Sequence, residues 1–160
     1  MPSAVRCGAS PLTCSIAGMT SSTPLPGGVT VSASAPSWIV WALRVTATAH
    51  LIGVLAQAAL AGLFVTGDVD LLTWHQNNGG VTHAMLYLQL VSAVLLWRPA
   101  RLSSRPALIS LAMVLVETAQ VALGNARLVA AHIPLGMLIF GMSAVFTMWA
   151  WRGLRTRSAA

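Results

Sequence analysis

The sequence predicts an all-α protein, a four-transmembrane-helix bundle built from two repeated helical hairpins with both termini cytoplasmic. Three observations predict it. Hydrophobic residues make up 56% of the 160 residues and charged residues only 8%, where a soluble domain uses roughly a quarter charged residues to solvate its surface. Four long apolar runs follow one another from Trp38 onward. The cations sit between those runs rather than on them. There are nine Arg and no Lys, against two Asp and one Glu, for a net charge of +6. The balance excludes an ordinary soluble enzyme and a disordered chain. It also argues against a nucleic-acid partner, because a DNA-binding face needs clustered cations beside a soluble core.

Residues 1–36 hold five of the eight Pro and eleven Ser or Thr, with no helical or strand period. They read as a disordered N-terminal segment. One Arg precedes no continuous apolar stretch, so the segment is a poor signal peptide. A translation start further along, for example at Met19, is an alternative reading of it. Cys7 and Cys14 lie here, at a spacing that suits no known metal motif.

The transmembrane domain is expected over 37–155. Span one covers about 45–66, after an amphipathic lead-in, Ser37-Trp-Ile-Val-Trp-Ala-Leu-Arg44. Span two covers about 78–97, after a turn marked by Asn77, Asn78, Gly79 and Gly80. Span three covers about 107–124 and span four about 131–151. Pro134 falls in the first turn of span four, where its missing amide costs little. Each run approaches the ~20 residues that a helix needs to cross hydrocarbon. Lipid offers an unpaired backbone amide no partner, so each must be a helix. The run from Ala84 to Trp97 lacks the polar stripe of a soluble bundle helix. Residues 156–160 form a cytoplasmic tail.

Orientation follows from the arginines. Arg44, Arg98, Arg101, Arg105, Arg152, Arg155 and Arg157 lie on one side, with Arg6 in the leading segment. The positive-inside rule makes that side cytoplasmic, and the setting is a cell membrane, most naturally the bacterial cytoplasmic membrane. The opposite loops carry Asp68 and Asp70 in one case and Arg127 in the other. All six Trp fall near the expected interfaces, as an aromatic belt does.

The chain also repeats itself. Gln57-Ala-Ala-Leu-Ala-Gly62 precedes His75-Gln-Asn-Asn-Gly79, and Gln120-Val-Ala-Leu-Gly124 precedes His132-Ile-Pro-Leu-Gly136. Each second helix therefore opens on His-x-x-x-Gly, and residues four apart share a helix face. A Gly below a His leaves a flat space beside the imidazole, which a large planar ligand could enter. Two imidazoles facing each other across a bundle suit axial ligation of haem iron. Iron held in that way has no open position and favours electron transfer over oxygen chemistry, so an enzyme is not the expected reading. The competing reading is bland: interfacial His cap helices, and Gly in membrane helices packs them.

Three further residues are polar within the spans. His83 lies about 12 Å deeper than His75, and Glu117 about 10 Å from the outer end of span three, at 1.5 Å per residue. They form a candidate intramembrane pair, either handling protons or quinone or simply joining two helices. His50, in span one, has no evident partner and reads as a packing residue.

The run Leu55-Ala-Gln-Ala-Ala-Leu-Ala-Gly62, His75-x-x-x-Gly79, Gln120-x-x-Leu-Gly124 and His132-x-Pro-Leu-Gly136-Met-Leu-Ile-Phe resembles a family of small four-helix membrane proteins. That family comes mostly from high-GC Gram-positive bacteria and is known only as a domain of unknown function. The resemblance covers about residues 40–155. More distantly the pattern is similar to one four-helix half of haem A synthase, in which the second and fourth helices of each half carry a ligand His. His75 and His132 match those positions. The chain departs from the synthase in having one half rather than two. It also lacks an acid at the outer end of span one matching the synthase's catalytic Glu, for which Asp68 is only a loose candidate. The resemblance therefore implies a haem site without haem A synthesis.

Two functions remain open from sequence, with a third behind them. The first is a protein holding one haem b, with His75 and His132 as axial ligands, Gly79 and Gly136 admitting the macrocycle, and Arg127 pairing with a propionate. Its partners would be a redox protein or quinone. The second is a non-catalytic membrane subunit or structural partner with no cofactor. The third is a small transporter or quinone-linked carrier built on Glu117 and His83.

Overall fold

A computed structural model describes residues 36–98 and 100–154. The segment expected to be disordered, with Cys7 and Cys14, and the short C-terminal tail lie outside the described residues. Those described form four helices: α1 over Ser37–Val65, α2 over Leu71–Trp97, α3 over Arg105–Asn125 and α4 over Val129–Arg152. All four are long and apolar enough to cross a membrane. They run up, down, up, down. Each packs against its two neighbours, so α4 returns to α1 and the four close into a ring.

Polarity is distributed the opposite way from a soluble bundle. His50, Thr82, Gln89, Ser92, Ser110, Glu117, Ser143 and Thr147 are buried, while Val45, Ile52, Leu88, Leu115, Leu138 and Val145 face outward. Close packing and interhelical hydrogen bonds join the helices. Each seam has such bonds. The Asn78 amide donates to the Gly53 carbonyl at 2.9 Å and to Gln57 Oε1 at 2.7 Å, joining α2 to α1. Gln89 Nε2 donates to Ser110 Oγ at 3.1 Å, joining α2 to α3. Gln120 Nε2 donates to the His132 carbonyl at 2.9 Å, joining α3 to α4. Thr147 Oγ1 donates to the Ala47 carbonyl at 3.1 Å, joining α4 to α1.

Glycine shapes the α1–α2 seam. A Cβ on Gly53 would collide with Thr82 Oγ1 and come within 3.1 Å of its Cβ and Cγ2, so only glycine lets the backbones approach this closely. At one end of the bundle the Arg44 guanidinium donates to the carbonyls of Ala150 at 3.0 Å and Leu154 at 2.8 Å. It also stacks on Trp41 and Trp151, 5.5 and 5.2 Å from their ring centres. One side chain thus holds the start of α1 to the end of α4.

Two sequence expectations about the helices need correction. The lead-in to span one is not separate: α1 is continuous from Ser37, because Ile39, Val40 and Leu43 bury completely or nearly so in the core. The Asn-Asn-Gly-Gly stretch is not a turn. α2 starts at Leu71 and passes through it. The Asn78 side chain bonds across to α1 instead of folding onto its own backbone, so the turn that its composition favours in water never forms. His75 therefore stands inside a helix, one turn above Gly79.

Candidate functional site

His75 and His132 lie at the end of the bundle opposite the Arg44 contact, on α2 and α4, which sit diagonally across the ring. Their ring centroids are 6.3 Å apart and their planes inclined at 58°. Each is half-buried. His75 Nδ1 lies 3.1 Å from the Gln57 carbonyl on α1, and His132 Nδ1 lies 3.0 Å from the Gln120 carbonyl on α3. A carbonyl only accepts, so both Nδ1 atoms carry hydrogen and donate it. In the neutral ring that leaves the Nε2 lone pair free on both histidines.

The two glutamines recur at the glycines. From Gly79 a Cβ would point at Gln57 Nε2, 3.0 Å away, and from Gly136 at Gln120 Nε2, also 3.0 Å away. What these glycines admit in the structure is a glutamine side chain, which keeps the helix carrying each His close to the helix that orients it. Gln120 Oε1 is buried here with no partner among the described residues. Gly124 lets the His132 ring lie across α3, with its Cε1 3.1 Å from where a Cβ would stand. The glutamines position the two candidate histidines, and sequence reasoning named them only as markers of the repeat. The sequence marked them only by recurrence, a Gln ahead of each His-x-x-x-Gly, 18 residues before His75 and 12 before His132. Arg127 lies in the α3–α4 connection, exposed, in the left-handed region at φ 57°.

No family model, curated protein or solved structure matches the chain.

A second polar group lies at the middle of the bundle, and each helix contributes to it. Glu117 on α3 is 7% exposed and His50 on α1 is fully buried. Glu117 Oε2 is 3.2 Å from His83 Nδ1 on α2 and 3.5 Å from His50 Nε2. His83 Nε2 is 3.1 Å from the Tyr87 hydroxyl. His50 Nδ1 is 3.3 Å from Ser143 Oγ on α4. The structure thus brings His83 and Glu117 together. It also gives His50 the partners that the sequence did not reveal, since α1 and α3 face each other across the ring and no local spacing relates them. Among the described residues no group of three or more ligands is arranged to hold a bare metal ion.

Proposed function

We propose that this chain is a multi-pass membrane protein that holds one haem b between His75 and His132, in membrane electron transfer or haem handling. The observation that carries the reading is the matched hydrogen bonding of the two imidazoles. A histidine that ligates a metal characteristically donates its other ring N–H to a carbonyl or carboxylate, which fixes the tautomer and aims the free nitrogen. Both histidines meet that condition through the same kind of partner.

The spacing supports it. The two ring centroids stand 6.3 Å apart, close enough for His75 and His132 to hold one iron between them. A haem held there by His75 and His132 would supply one-electron transfer. The chain's own residues do the rest. The Gln57 and Gln120 carbonyls hold the rings in orientation. Gly79 and Gly136 keep those glutamines close. Arg127, at the same end of the bundle, is the cation available to a propionate.

The duplicated Gln…His-x-x-x-Gly pattern and its like contacts in the two hairpins support descent from one repeated hairpin. Orientation, with both termini cytoplasmic, rests on the arginine distribution. Trp38, Trp41, Trp97, Trp149 and Trp151 gather at the arginine-rich end and Trp74 lies toward the other, as belts at both interfaces do. The His75–His132 pair then faces the outer side.

The test is an absorbance spectrum of detergent-purified protein expressed with ample haem. A Soret band is expected, with split visible bands on reduction, and His75→Ala or His132→Ala should each abolish or shift it. A colourless wild-type protein that is folded and monodisperse overturns the reading and leaves the cofactor-free subunit.

A further inference from the structure

We propose that His50, Glu117 and His83 form a proton-binding site at the centre of the bundle. The proposal does not rest on the haem reading, and its ligand is a proton.

The hydrogen-bond directions can be worked out from the ends inward. The Ser143 hydroxyl has one hydrogen, and it donates this to the Ile139 carbonyl at 2.7 Å. Towards His50, therefore, Ser143 Oγ accepts, and His50 Nδ1 carries hydrogen. That leaves His50 Nε2, which is buried, has no hydrogen-bond partner, and is aimed at Glu117 Oε2 across 3.5 Å. Without a proton between them, a nitrogen lone pair would face a carboxylate oxygen in an apolar interior. One proton resolves this, whether on Nε2 or on the carboxyl.

On the other side, His83 Nδ1–H donates to Glu117 Oε2 and His83 Nε2 accepts from the Tyr87 hydroxyl. The charge count agrees. One carboxylate, two neutral imidazoles and one extra proton make a neutral cluster. Loss of that proton leaves a net negative charge among buried groups, which is costly. The ionisable groups facing Glu117 are His50 from α1 and His83 from α2. α4 presents Ser143 to His50, and no Arg makes an ion pair with Glu117 among the described residues.

The experiment is nitrogen NMR of the full chain, labelled with ¹⁵N-histidine, in phosphatidylcholine nanodiscs. In the wild type, His50 should be protonated at Nδ1, with a proton shared at Nε2. His83 should be protonated at Nδ1 and accepting at Nε2. Glu117→Gln keeps the shape but cannot exchange a proton. It should shift the His50 and His83 signals together. A wild-type His50 with a bare, unshared Nε2 overturns the proposal without any variant. So do His50 and His83 signals that Glu117→Gln leaves unchanged.

Discussion

Gly53→Ala tests the close seam on which the His75 geometry depends. The added Cβ would collide with Thr82 Oγ1 and lie 3.1 Å from Thr82 Cβ and Cγ2. Rotating the threonine moves Oγ1 and Cγ2 but leaves its Cβ in place, and Thr82 is only 1% exposed, with Oγ1 donating to the Asn78 carbonyl at 2.7 Å. The helices must therefore part. Overpacking of this kind costs about 1–3 kcal/mol. Alanine's better helix propensity offsets up to about 1 kcal/mol of that. A net loss of about 1–2 kcal/mol is expected, read as a lower midpoint in mixed-micelle unfolding. Asn78 bonds to the Gly53 carbonyl and to Gln57 Oε1, so the parting also disturbs the helix segment that fixes His75. Haem retention should fall in parallel. Thr82→Ala should rescue part of the loss, with a coupling of about 1 kcal/mol in a double-mutant cycle, as for residues in direct contact. A neutral or stabilising Gly53→Ala, or strict additivity with Thr82→Ala, would refute the reasoning.

Other outcomes follow from single contacts. Gln89→Leu alone should cost about 1–2 kcal/mol by stranding Ser110, whereas Gln89→Leu with Ser110→Ala should lie closer to the wild type, because removing both partners leaves nothing unsatisfied; unfolding midpoints decide it. Arg44→Ala should destabilise by about 1.5–3 kcal/mol through its charged hydrogen bonds, and Arg44→Lys should recover only part, since a lysine lacks the planar fork that reaches several carbonyls at once; limited proteolysis near the end of α4 reports both. Gln120→Leu should weaken any haem spectrum less than His132→Ala does, because the Gln120 backbone carbonyl, not its side chain, takes the His132 N–H.

Much of the fold was legible because four apolar runs separated by short polar links have few alternatives to four helices. The start of α2 was not. Asn77–Gly80 carries turn chemistry learned from chains in water, and here Asn78 bonds to a neighbouring helix instead. The His75–His132 pair was visible as a repeated motif in each hairpin. The pairing of His83 with Glu117 could be suggested by equal depth. His50 was missed because its partners, Glu117 and Ser143, lie 67 and 93 residues away on helices whose rotation about their own axes no sequence period specified. The orienting role of Gln57 and Gln120 was hidden as well, since it runs through their backbone carbonyls, which every residue possesses.

The Arg44 contact bears on the order of assembly. Its acceptors on α4 are among the last residues of the described chain to be synthesised, while Arg44 itself is among the first. Until α4 has been made, the flank of α1 that α4 will cover stands open, and the ring has a gap along its whole length. Whatever must reach the interior can slide in sideways through that gap. Once the guanidinium finds its carbonyls, the gap shuts from the arginine-rich end, and leaving again requires the first and last helices to part.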